Sequence, residues 1–102
     1  MYLNLEAQSD YYPGYPIEPR GIYYAARRLT AQLKKIDKDT NYGALQKVYS
    51  IWLCMGNVPV YEENTVSLYS LNKNDIIGTA KRNEEIYDLM SVIIMRYKTK
   101  QN

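Results

Sequence analysis

The run LNLEAQSDYYPGYPIEPRGIYYAARRLTAQ, residues 3–32, changes its apolar spacing once, across a break rich in proline and glycine. Before the break, Leu3, Leu5 and Ala7 alternate with Asn4, Glu6 and Gln8. That two-residue period predicts a strand over residues 2–8 with one apolar and one polar face. Pro13 and Gly14 suit the central pair of a type II turn, so residues 9–19 are expected to form a structured loop. After it, Ile22, Ala26, Leu29, Leu33 and Ile36 recur three or four apart, which predicts one long amphipathic helix over residues 20–36. Pro19 stands at its entrance, where a missing N–H costs least.

Working outward, residues 37–43 are polar and end the helix. Residues 47–55 form an apolar run rich in strand formers, read as buried on both faces. Gly56, Asn57 and Pro59 break that run, and residues 64–71 alternate again. A strand there is expected to pair antiparallel with residues 47–55. Residues 75–82 read as loop and residues 83–87 as a short helical turn. In residues 89–97 the Val92-Ile93-Ile94 triplet favours a strand. Ile86, Met90, Ile93 and Tyr97 also fit a helical stripe, so the segment is open between the two. The order strand, helix, strand, strand, strand predicts an α/β fold with a mixed sheet. Its first two strands are expected to be joined by a right-handed parallel crossover.

At 102 residues the chain suits one small domain. The sequence contains no His, which excludes Ser-His-Asp and Cys-His catalysis and His-ligated metals. Its single cysteine, Cys54, forms no internal disulfide or zinc knuckle and is expected to be a small buried hydrophobe. Any metal is therefore expected to be a hard cation held by oxygen, such as magnesium, manganese or calcium. No apolar run is long enough to span a bilayer and no secretory signal opens the sequence, so the expectation is cytoplasmic. A net charge of +2 is compatible with nucleic acid without requiring it. Twelve Tyr and no Phe favour half-wet surfaces as well as core.

Glu6 and Gln8 lie two apart on one strand and share a face. A carboxylate beside an amide can help hold a divalent cation and orient a water, as metal-dependent phosphodiester hydrolysis requires. The plainer reading is a polar strand face. Arg20, Arg27, Arg28, Lys34 and Lys35 gather positive charge on the helix, either as a phosphate-facing ridge or as a solvated face. Tyr11, Tyr12 and Tyr15 either stack on bases or cover the end of the sheet. Trp52 is expected in the core.

The same run resembles transposase-associated, restriction-endonuclease-like proteins of the bacterial PD-(D/E)xK nuclease family. The likeness covers residues 3–72 and is most specific in two places. One is the loop Asp10–Pro16, with its Tyr-Pro-Gly-Tyr-Pro run after the E-x-Q strand; the other is the helix motif Arg20-Gly21-Ile22-Tyr23-Tyr24. The resemblance implies a partial restriction-endonuclease-like core. In it Glu6 is the catalytic and metal-binding carboxylate, and Gln8 takes the place usually held by lysine. Tyr24 and Gln32 support the pocket, while Arg20, Arg27 and Arg28 are assigned to DNA contact by the charge of the helix and not by the resemblance. It also implies magnesium or manganese as cofactor. The family's other carboxylate, the Asp of its PD element, belongs to a preceding strand that these 102 residues do not include. The expectation is a chain inactive by itself, a fragment or a decayed remnant, completed by an upstream half of the same domain or pairing as a homodimer. The alternative is a non-catalytic module binding DNA or protein.

Overall fold

A computed structural model describes residues 2–8, 10–34 and 37–98. Strand β1 (Tyr2–Gln8) leads through a loop to helix α1 (Ile17–Thr30), followed by β2 (Val48–Cys54), β3 (Thr65–Ser70) and β4 (Met90–Arg96). The four strands form one mixed sheet in the order β1-β2-β4-β3. β1, β2 and β4 are parallel, and β3 runs antiparallel to β4. The α/β class and the mixed sheet are those expected. The open segment at residues 89–97 is a strand.

The loop closes as its residues dictate. Gly14 has φ 95°, the positive value that the third residue of a type II turn requires. Tyr11 N–H donates to the carbonyl of Gly56 at 2.7 Å, and Asn57 donates to Asp10 at 3.1 Å. These bonds lay the loop across the carboxyl ends of β1 and β2.

α1 departs from the expected span of residues 20–36 at both ends. It begins at Ile17, with Pro16 as an extended N-cap, and Pro19 falls inside its first turn. The first four N–H groups of a helix have no intrahelical partner, so proline costs little there. Glu18 in the first turn and Arg27 and Arg28 in the last complement the helix dipole. Thr30 ends the helix, its hydroxyl donating to the carbonyl of Arg27 at 3.1 Å. Ile36 lies outside the described residues.

The buried face of α1 is also turned from the expected stripe. Ile17, Gly21 and Ala25 are buried with Leu29 packed beside them, whereas Ile22 is 45% exposed. Residue size explains the turn. A Cβ on Gly21 would stand 2.7 Å from Val92 Cγ1 and 3.1 Å from Trp52 Nε1. Small residues let α1 press onto the bulky ring, and glycine carries no hydrophobic signal in a periodicity pattern.

α1 packs across β2 and β4, and the core lies between them: Trp52, Val48, Cys54, Val92 and Ile94 meet Ile17 and Ala25. β2 alternates between buried and half-buried positions. Its second face is thus only partly covered, contrary to the expectation of burial on both. β3 pairs with β4 rather than with β2, which corrects the predicted hairpin. Both edges of β2 are already taken by β1 and β4, so β3 joins at the remaining edge of β4. Arg96, 6% exposed, fixes that edge: its guanidinium donates to Tyr11 Oη at 2.7 Å, Ser67 Oγ at 2.8 Å and Thr65 Oγ1 at 3.3 Å. No helix among the described residues is long and apolar enough to cross a membrane.

Candidate functional site

Glu6 stands near the carboxyl end of β1, half-buried, with its Cα opposite Trp52 of β2. Paired residues in adjacent strands share a face, so Glu6 lies on the face that carries α1. In open α/β sheets the crevice outside the carboxyl ends of parallel strands is the usual place for a ligand. Gln8 pairs with Cys54 through its backbone, and its side chain lies outside the described residues.

The helix sets a cation against Trp52, the residue opposite Glu6 in the strand register. The Arg20 guanidinium lies 5.4 Å from the Trp52 ring centre and 5.8 Å from that of Tyr24, within cation–π range of both. The Tyr24 ring is 5.7 Å from Trp52, and the Arg20 guanidinium donates to Tyr15 Oη at 3.5 Å. A hydrogen bond to Tyr24 is the leading influence on Arg20. Despite partial desolvation, it holds the guanidinium pKa above its ordinary value, so the group stays charged. Trp52 is itself fixed, its Nε1 donating to Ser50 Oγ at 2.8 Å inside the core. The resulting constellation is a carboxylate on β1, an arginine held against rings on β2 and α1, and the Tyr-Pro-Gly loop above them.

Other predicted site residues fall elsewhere. Arg27 and Arg28 are exposed and, with Tyr24 and Ala31, line a cavity of about 310 Å³ on the same helix. They lie seven and eight residues beyond Arg20, roughly 10–12 Å along the axis. The guanidinium of Arg27 stands 5.9 Å from the Tyr23 ring. Gln32 is engaged at the opposite end of the sheet. Its amide donates to the carbonyl of Gln46 and accepts from the N–H of Gln46, both at 2.7 Å, tying the end of α1 to the entry of β2. Tyr11 is bound to Arg96 and covers the sheet end; Tyr12 and Tyr15 are exposed. Lys34 is exposed, and Lys35 lies outside the described residues.

Sequence reading passed over Arg96 because a basic residue ending an apolar strand reads as a surface terminus. Burial opposes its charge, but the Tyr11 hydroxyl, Glu62 and Tyr69 outweigh that cost and hold its pKa up. Burial likewise pushes the Cys54 thiol up, leaving it a protonated core residue.

A divalent cation of the magnesium class takes six or more oxygen ligands and gains affinity from each carboxylate. Glu6 offers one. Among the described residues no cluster of three or more His, Cys, Asp or Glu occurs that could hold a metal. No family model, curated protein or solved structure matches the chain.

Proposed function

We propose that this chain carries the second half of a PD-(D/E)xK-type, transposase-like DNA nuclease domain, contributing part of an active site and inactive by itself. The observation that supports this most is the parallel β1–α1–β2 unit. It sets Glu6 at the carboxyl end of a strand, opposite Trp52, on which Arg20 is stacked. In that reading Glu6 is one carboxylate of a magnesium or manganese site whose other ligands come from elsewhere, and Gln8 orients the water. Arg20 holds a phosphate beside Glu6, with Tyr24 setting its guanidinium. Arg27 and Arg28 extend the contact along the backbone of the DNA.

Fluorescence anisotropy with a labelled duplex over a salt series tests the DNA side. Binding should weaken steeply with salt. Arg20→Ala, Arg27→Ala and Arg28→Ala should each reduce the slope by about 0.9 in log K against log salt, one released counterion each. Absence of salt-dependent binding at low salt sinks the DNA reading. With supercoiled plasmid and magnesium or manganese, the chain by itself should not cut. Cleavage that Glu6→Ala abolishes would mean that a second copy lends the missing carboxylate. A second reading, a module that binds DNA without chemistry, is favoured by the lack, among the described residues, of any cluster of three or more His, Cys, Asp or Glu. A longer form supplying the second carboxylate would separate the two, since only a nuclease then cuts in a Glu6-dependent way.

A further inference from the structure

We propose that the sheet face opposite α1 is the interface of a homodimer, two copies packing face to face. By the strand register that face carries Leu3 and Leu5 of β1, Ile51 of β2, Ile93 of β4, and Val66 and Leu68 of β3. Leu3, Leu5, Val66 and Leu68 are 59–64% exposed. No Asp, Glu, Lys or Arg occupies that face at any paired position of the four strands. Lys47, two residues before Tyr49 of this face, is paired with Asp88 at 2.9 Å and lies over the Tyr49 ring at 4.8 Å.

Three physical arguments select this occupant. Parallel strands occur almost only in sheets covered on both faces, and among the described residues α1 covers one face of β2 and β4. The apolar patch amounts to on the order of 600 Å² per copy; pairing two buries about 1,200 Å², the lower bound for a stable interface. A two-fold interface sets one patch against itself, so it must be self-complementary, and an uncharged aliphatic face has no like charges to oppose. The same lack of cations makes the face unfit for nucleic acid. Twisted sheets packed about 10 Å apart and roughly aligned would interdigitate these side chains.

Sedimentation equilibrium at micromolar concentration, without metal or DNA, tests this apart from the nuclease reading. The expected mass is twice the chain's 11.9 kDa. Leu5→Lys and Leu68→Lys, both at exposed positions, should each give a monomer with unchanged far-ultraviolet circular dichroism. Tyr23→Lys, at an exposed position on α1, should remain a dimer. Should lysine unfold the chain, the double variant Val66→Thr, Leu68→Thr keeps strand propensity and should dissociate the dimer in its place. A wild-type monomer overturns the proposal and leaves the face to a different partner. A dimer that survives both lysine variants also overturns it, in favour of edge-to-edge pairing through β1.

Discussion

Gly21 sits inside α1, where glycine ordinarily costs a helix about 0.8–1.0 kcal/mol relative to alanine. Propensity alone therefore recommends Gly21→Ala as stabilising. Packing argues the other way, because the added methyl would meet Val92 Cγ1 at 2.7 Å and the Trp52 indole at 3.1 Å. Val92 and Trp52 are both buried, and overpacking a core typically costs about 1–3 kcal/mol. The second effect is the larger, so Gly21→Ala should lower stability by up to about 2 kcal/mol, read as a lower urea midpoint at unchanged slope. A raised midpoint would mean that α1 is not pressed against the sheet. The same contact has a consequence for the site. Arg20, next to Gly21, reaches the Trp52 ring only because the helix lies this close, so the alanine variant should weaken DNA binding as well as stability.

For α1 as an element, the question is which of two adjacent stripes faces the core. Spacing of large apolar residues pointed to Ile22, Ala26, Leu29, Leu33 and Ile36. Packing chose Ile17, Gly21 and Ala25, with Leu29 at the margin of both. Leu29→Ala should cost about 1–2 kcal/mol, less than the 2–5 kcal/mol of a fully buried leucine, because Leu29 is only half-buried. Ile22→Ala, at a surface position, should stay within about 0.5 kcal/mol. Chemical denaturation of the two variants settles the orientation by their ranking; a larger loss at Ile22 would restore the original stripe. β3 illustrates a similar choice. It is held by hydrogen bonds to β4 and by Arg96, while most of its side chains lie open.

For the whole molecule, one α-helix packs on one four-stranded sheet among the described residues. The two central strands, β2 and β4, are paired on both edges, whereas among the described residues β1 and β3 each keep one edge without a strand partner. Local opening should follow that order. Amide hydrogen exchange should therefore be slowest in Val48–Cys54 and Met90–Arg96, faster in Tyr2–Gln8 and Thr65–Ser70, and fastest over residues 71–83. Slow exchange in Tyr2–Gln8 equal to that of the central strands would mean that another chain pairs with β1. Such pairing would favour an edge dimer over the face-to-face assembly.

The sequence by itself determined β1, the proline-glycine turn, the presence of α1, β2 as a strand, and Trp52 and Cys54 as core. Each of these is a local property: a two-residue or three-to-four-residue apolar period, a residue able to take positive φ, or an absence of polar groups. Only the tertiary structure decided the strand at Met90–Arg96, because the stretch satisfies both periods and the free edge of β2 chose between them. It also decided that β3 pairs with β4, since an alternating strand carries no mark of its neighbour. The face of α1 depended on glycine and alanine fitting against tryptophan, a shape match across more than thirty residues of chain. In the site, Glu6 and the Arg20-to-Tyr24 motif were legible one at a time. Their meeting at Trp52 was not, and neither was the engagement of Gln32 with Gln46 at the far end of the sheet. Periodicity records which side of an element prefers to be dry, whereas pairing and packing depend on what arrives from elsewhere in the chain.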